Sequence, residues 1–477
     1  MAGFAEYEQF DAVGLAELVR TGQTTPEALL EAAIERVEAR NPLVNAVVAP
    51  LYDYAREAIQ AGLPEGPFRG VPFLLKDLTS YIAGYATRRG SRFFADAPAA
   101  DEDSEHVKRL KRAGLVLFGR TNTCEFGLSL TCEPQVYGPT RNPWDTARIS
   151  GGSSGGAAAA VAARMLPMAH ATDGFGSIRA PAACCGLVGL KPTRSRNTLA
   201  PFAGEGLGGL SAEHAVTLSV RDSAALLDAT SGAGAGDPYV APAAARPFLS
   251  EVGADPGMLR IAFTTVAPNG APVCDDSLRV LMETVRACEE LGHNVVEANP
   301  QVDGASIVPT FRTIIAANTA VNASTHPTAG RMPQRGEVET VTLATIERGL
   351  ALSAPDYVRA TQAMHRLGRE MAAFHEDYDV LLTPGLATLP PQLGWIDMMM
   401  EDDDEYWRRV FDFSPFTVWF NLTGQPAMML PIGQTDTGLP VAVQLAARYG
   451  DEATIFRLAA QLEAARPWFG RKPALGS

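Results

Sequence analysis

Two serines, Ser153 and Ser177, stand among glycines in the stretch formed by residues 149–194. The first lies in Gly151-Gly-Ser153-Ser-Gly-Gly156 and the second in Asp173-Gly-Phe-Gly-Ser177-Ile-Arg179. Glycine beside a serine permits φ > 0 and a close backbone approach, so a hydroxyl and nearby N–H groups can face a carbonyl together. One Gly/Ser turn is usually only a loop. Two such turns around an alanine-rich run, residues 157–163, are a pattern that chemistry would use. A serine hydroxyl is a poor nucleophile until a base takes its proton. Seven histidines are present, and none sits in a turn resembling a hydrolase triad. His170 is nearest and reads as structural, between Met168 and Thr172. No Gly-x-Ser-x-Gly elbow surrounds Ser177, which argues against an α/β-hydrolase. The remaining base is Lys76, at the end of an apolar run. It serves only when uncharged, which requires burial to depress its pKa. A salt bridge between Lys76 and Asp77 is the competing reading.

The elements that must hold these residues follow from periodicity. Residues 71–75 are continuously apolar, which predicts a strand buried on both faces, with Lys76 at its end. Residues 105–113 read as a helix, 115–118 as a second buried strand and 122–127 as the turn after it. The alanine run predicts a helix over 157–164, with side chains small enough for close packing. Upstream, Asp11 caps a helix to Arg20, and Thr25-Pro26 opens another that Asn41-Pro42 should stop. Residues 44–51 read as a strand. Downstream, strands are predicted at 259–264, 294–297, 380–383 and 441–445, with helices at 276–291 and 452–464. Strands alternating with helices at this pace predict α/β layers. The Gly232-Ala-Gly-Ala-Gly236 segment follows a predicted helix (222–230), not a strand, so it reads as a connector and not a dinucleotide loop. The acidic run Glu401-Asp-Asp-Asp-Glu405 reads as a solvated loop.

Composition narrows the function classes. With 477 residues, 46% hydrophobic and 20% charged, the chain has the make-up of a soluble globular protein with a large core. A net charge of −14 argues against nucleic acid and anionic membrane surfaces as partners. Six cysteines without CxxC spacing suit reduced thiols better than a disulfide scaffold. No signal-peptide pattern and no apolar run of about 18 residues is present, so a cytoplasmic location is expected.

Residues 151–194 resemble the signature segment of the amidase signature family of serine hydrolases. The likeness extends to Gly70-Val-Pro-Phe-Leu-Leu-Lys76-Asp-Leu, Gly119-Arg-Thr-Asn-Thr123 and Glu125-Phe-Gly127, and downstream to Asn421-Leu-Thr-Gly-Gln-Pro-Ala427, Leu430-Pro-Ile-Gly433 and Gly438-Leu-Pro-Val-Ala-Val-Gln444. Glu133-Pro134 and Thr140-Arg-Asn-Pro-Trp144 look most similar to the branch of 6-aminohexanoate cyclic dimer hydrolases and aryl acylamidases. The resemblance implies an α/β fold with a large mixed central β-sheet, about eleven strands, flanked by helices on both faces. It implies one amidase domain over residues 1–477, with a signature core at about 66–200 and a more variable helical region at about 303–409.

The same resemblance assigns the parts. Lys76 corresponds to the base, Ser153 to the bridging serine (usually on a cis peptide) and Ser177 to the acyl-accepting serine. The backbone N–H groups of Gly174, Phe175, Gly176 and Ser177 are expected to form the oxyanion hole. Ser154 is expected to hydrogen-bond the loop. Asp173 and Arg179 are expected to hold it through charge-assisted bonds, the alternative being a surface pair. The implied activity is cleavage of C–N bonds in neutral amides (aryl or alkyl amides, amide oligomers, carbamates) through an acyl-enzyme, without metal or cofactor. A small-molecule amide or carbamate is the expected partner, and a homodimer is compatible with this reading. The alternatives are a glutamine amidotransferase subunit of a tRNA-charging complex and a catalytically inactive binding protein. The chain departs from the family at Phe175, where a small residue is usual, and at Ile149-Ser150 and Ala157. If φ at Phe175 is positive, that residue is strained. Leu128, Leu130, Tyr137 and the aromatics of residues 411–420 are the candidate pocket side chains.

Overall fold

Phe73, Leu74 and Leu75 leave no polar residue between Pro72 and Lys76, and this segment forms a strand with every residue buried. The computed structural model, which describes residues 4–325 and 330–475, places it in an 11-stranded sheet. In chain order the strands are β1 (Val47–Pro50), β2 (Pro72–Lys76), β3 (Val116–Thr121), β4 (Arg141–Asn142), β5 (Asp145–Ile149), β6 (Met168–Asp173) and β7 (Val188–Lys191). There follow β8 (Ala212–Thr217), β9 (Arg260–Phe263), β10 (Asn294–Glu297), β11 (Val380–Pro384), β12 (Ala427–Gln434) and β13 (Pro440–Ala447). β4 and β5 form a separate ribbon, and the large sheet runs β1-β3-β2-β6-β8-β7-β12-β13-β11-β9-β10.

Pairing is mixed. β2 runs parallel to β3 and β6, and β9 parallel to β10 and β11. β6 with β8, β12 with β13 and β11 with β13 are antiparallel. Successive strand residues point to opposite faces, and both faces are buried here. Val441, Val443 and Leu445 of β13 share one core with Phe456 and Leu458 of the helix Glu452–Ala465. Ala442 and Ala446 belong to the other core, with Ala157–Ala162 and much of the N-terminal half. Helices thus cover the sheet on both sides, which is why an inner strand such as β2 is apolar on both faces.

Two local expectations are corrected. The helix opened by Thr25 and Pro26 does not stop at Asn41-Pro42 but runs to Val44. Pro42 falls in its last turn, where a missing N–H removes one bond instead of breaking the helix. The Asn41 side chain then accepts from the Ala46 and Val47 N–H groups. The acidic run at 401–405 is not a loop: Asp402 caps the helix Asp403–Phe413 and the next three acids form its first turn, where the helix dipole favours negative charge. Between residues 303 and 409 the chain is mostly helical, with helices Gly304–Ser324, Thr340–Ala351 and Ala354–Asp377. Among the described residues no helix is long and apolar enough to cross a membrane.

Candidate active site

β2 and β6 are parallel neighbours, paired through Leu74 and Ala169, so their C-terminal ends meet at one edge, where open α/β sheets gather ligands. Lys76 ends β2, and Thr172 and Asp173 end β6. The glycine turn after β5 brings Ser153 and Ser154 to the same place, Ser154 standing just before the helix Gly155–Ala162. The Gly152–Ser153 peptide is cis. A Cβ on Gly152 would lie 2.2 Å from the Thr131 carbonyl oxygen, so only glycine fits there.

Lys76 is fully buried, and its Nζ reaches Ser153 Oγ at 2.6 Å, Ser154 Oγ at 2.9 Å and Thr172 Oγ1 at 2.9 Å. It has no carboxylate partner among the described residues. Asp77 lies 3.9 Å from Arg120 instead, and accepts from the Arg88 N–H and the Tyr137 hydroxyl. The Lys76–Asp77 salt bridge is therefore not formed. Burial takes the Lys76 pKa from 10.5 down to about 8, because the ammonium form loses its hydration. Ser154 Oγ donates its own hydrogen to the Thr172 carbonyl, so towards Nζ it is an acceptor. With Thr172 Oγ1 as second acceptor, both N–H bonds of a neutral amine are occupied, and its lone pair faces Ser153 Oγ.

The loop after β6 is wound around one carboxylate. Asp173 accepts from the N–H groups of Gly176 at 2.6 Å and Ile178 at 3.2 Å. Arg179 grips the same carboxylate through Nε at 2.9 Å and Nη2 at 3.0 Å. Its other N–H bonds go to the Thr417 carbonyl, Gln444 Oε1 and Asn421 Oδ1. Both partners are fully buried, so the surface-pair alternative is overturned in favour of a buried bidentate fork. Burial alone would raise the Asp173 pKa, but the Arg179 charge and these hydrogen bonds outweigh it and hold the carboxyl well below its usual range.

Among the described residues, the N–H groups of Gly174, Phe175 and Ser177 donate to no protein acceptor. Gly176 is different, since its N–H is already bonded to Asp173. Of the four N–H groups expected as oxyanion donors, three are therefore free of protein acceptors, and Gly176 contributes shape. Its φ is +123°, and a Cβ there would meet Thr417 Oγ1 at 2.5 Å. Phe175 lies outside the positive-φ region, so the strain considered for it is absent. Its ring packs on Phe311 at 4.6 Å between centroids, tilted by 33°, and meets Phe411 edge-on at 5.0 Å.

Ser153 and Ser177 open onto a cavity of about 540 Å³, the size of small-molecule sites. Phe126, Leu128, Phe175, Leu207, Phe311 and Trp407 make its walls largely apolar. Of the expected pocket residues, Leu128 lines it and Phe411 backs Phe175, whereas Leu130 is core and the Tyr137 hydroxyl serves Asp77. His106, His170 and Glu213 bring three possible ligand atoms within 4.8 Å of one another. His170 Nδ1, however, accepts from the Lys76 backbone N–H at 3.3 Å. That leaves Nε2 protonated and facing Glu213 at 3.9 Å, a donor and not a metal ligand. Neither histidine reaches hydrogen-bond distance of Glu213, which accepts from Thr79 Oγ1 at 2.5 Å and is raised by burial to about 7.

The chain matches the Amidase family over residues 28–456 and belongs to it: it is an amidase signature enzyme, a hydrolase of amide C–N bonds. It is 38% identical over 480 residues to a 6-aminohexanoate-cyclic-dimer hydrolase of Paenarthrobacter ureafaciens, spanning 98% of this chain and 96% of that protein. A solved 6-aminohexanoate cyclic dimer hydrolase complexed with substrate superposes with a TM-score of 0.94 at 36% identity, over 98% of this chain and 99% of that one. A bacterial aryl acylamidase of the amidase signature family superposes with a TM-score of 0.87 at 26% identity, over 96% of each chain. The mixed 11-stranded sheet is the fold these enzymes share.

Thr172, Thr417, Asn421 and Gln444 join the site without having been expected there. Gln444 leaves one trace in the sequence, a polar residue inside the apolar run of β13. Asn421 and Gln444 also fall in segments that carry the family likeness, while Thr417 carries no signal.

Proposed function

We propose that the chain acts as one amidase domain in which Lys76 is the base, Ser153 the proton bridge and Ser177 the nucleophile. The observation that carries this reading is the buried Lys76 amine, 2.6 Å from Ser153 Oγ and without a carboxylate to hold it as an ammonium. Neutral Lys76 takes the Ser153 proton as Ser153 takes that of Ser177, and Ser177 Oγ adds to the substrate carbonyl carbon. The N–H groups of Gly174, Phe175 and Ser177 receive the negative oxygen. The proton on Lys76 then returns through Ser153 to the departing nitrogen, since an amide anion is a very poor leaving group. The C–N bond breaks, an amine leaves and an ester to Ser177 remains. Water attacks that ester by the reverse relay and releases the acid.

The apolar cavity favours neutral aryl or alkyl amides and amide oligomers, in line with the substrates named for the relatives, and carbamates present the same carbonyl to the nucleophile. Every group in the relay comes from one chain, so the reading needs no partner subunit. The amidotransferase-subunit alternative, which does need one, is not favoured. Six free cysteines agree with work in the cytoplasm. The test is direct. The purified chain should hydrolyse a neutral anilide and be labelled by a fluorophosphonate, and Ser177→Ala should lose both. Turnover that survives Ser177→Ala would overturn the assignment.

A further inference from the structure

The cavity wall holds one cation among its described residues, Arg89, and one carboxylate, Glu205. Glu205 lies beside Arg194, whose charge it offsets. Arg89 has no acidic partner among the described residues. Its Nη2 donates to the Tyr81 hydroxyl at 2.9 Å, and its guanidinium rests 4.6 Å from the centre of the Phe94 ring. The Phe94 contact and one hydrogen bond leave most of its five N–H donors without a protein acceptor.

Arg89 also occupies a position that suits it badly. Its φ is +55°, a region that favours glycine and asparagine over long side chains. Its carbonyl is tied down, accepting from the Phe126 N–H at 2.9 Å. The same turn carries Gly127, where a Cβ would stand 3.5 Å from Ser153 Oγ. Arg89 is thus fixed to the wall that reaches the relay. Asn318 and Asn322 also line the cavity, but among its described residues only Arg89 offers a charged planar fork, and a guanidinium matches planar oxygen acceptors such as carbonyls and carboxylates.

We propose that Arg89 is a specificity residue that binds an acceptor oxygen of the substrate away from the scissile bond. The preferred substrates then carry a second carbonyl group, either another amide or carbamate or a free carboxylate, and simple monoamides are poorer ones. This rests on the amidase reading above and narrows it.

The test compares the wild type with Arg89→Gly, which suits the backbone angle, and with Arg89→Lys, which keeps the charge but not the fork. Hexananilide has no second group, adipic monoanilide offers a carboxylate and adipic dianilide a second amide on the acyl side. Acetanilide and N,N′-diacetyl-para-phenylenediamine make the same comparison on the amine side. Arg89→Gly should cut the preference for the second carbonyl, measured as a ratio of kcat/KM values, by about tenfold or more. The loss should appear in KM, because the contact is made equally in the ground and transition states. Arg89→Lys should keep part of the preference for the carboxylate probe and little for the neutral diamides. Ratios that are the same in wild type and Arg89→Gly on both sides would overturn the proposal. A wild type that hydrolyses none of the five would instead overturn the amidase reading beneath it.

Discussion

Ser154 Oγ stands 2.9 Å from Lys76 Nζ while giving its own hydrogen to the Thr172 carbonyl. It therefore meets the amine only as an acceptor, and with Thr172 Oγ1 it fixes which way the lone pair points. Ser154→Ala and Thr172→Val each remove one acceptor and leave the amine free to turn. Each should lower kcat by about ten- to a hundredfold, with little change in KM, because misaimed proton transfer is costly even over short distances. Steady-state kinetics on a neutral anilide checks this. An unchanged kcat in both variants would mean that the amine is oriented by Ser153 alone.

Lys76 titrates near 8 because burial penalises its charged form. On a neutral amide, kcat/KM should rise with pH through about 8 and level off above it. Lys76→Met should lose ~10²–10⁴ in rate, the range typical of general acid–base catalysis. Stability carries the same signature. Between about 8 and 10.5 the unfolded chain binds a proton at this lysine that the folded chain does not, so the stability of the wild type relative to Lys76→Met should increase with pH across that window. Parallel urea titrations of the two proteins measure it.

Lys76, Ser153 and Ser177 stood out in the sequence because each sits in a short segment with a marked local pattern, while the roles proposed for them rested on family likeness. Lys76 ends an apolar strand, and Ser153 and Ser177 stand in turns that only glycines permit. The size of the sheet rested on family likeness, and the order of its strands, a long-range matter, was not read from the sequence at all. What the local pattern could not show was assembly across hundreds of residues. Thr417, Asn421 and Gln444 reach Arg179 from far along the chain; Gln444 stands out only as a polar residue in an apolar strand, and Thr417 by nothing at all. Phe311 and Trp407 reach the cavity from amphipathic helices, where an aromatic facing a cavity looks like any core residue. The commitment of the Gly176 N–H to Asp173 was likewise invisible, because it depends on the path of the loop.

Arg179 ties the nucleophile loop to the helix and strand behind it. Its side chain makes five hydrogen bonds, two of them to Asp173. Arg179→Gln leaves the Asp173 carboxylate buried without a counter-charge and should cost ~3–5 kcal/mol of stability, as breaking buried pairs does. Arg179→Lys keeps the charge but cannot reproduce the planar fork, and should fall between wild type and Gln. Denaturant unfolding measures both. A loss below about 1 kcal/mol for Arg179→Gln, the size of a surface pair, would contradict the buried network.

Phe175 shares the cavity wall with Phe311 and Trp407 and stands in front of Phe411. Its carbonyl is held by Thr417 Oγ1 at 2.9 Å, its backbone lies outside the positive-φ region, and its ring packs on Phe311 and Phe411. Phe175→Gly should therefore keep the catalytic groups in place while opening the pocket towards Phe411. The lost ring should cost ~3–5 kcal/mol of stability, as for other buried aromatic truncations, so activity is best compared well below the melting temperature. Under those conditions hydrolysis should persist, with kcat/KM shifted towards bulkier amides relative to small ones. A panel of amides graded in size reads the shift. If the ratio of bulky to small substrates stays the same, the ring is packing material and does not set the limits of the pocket.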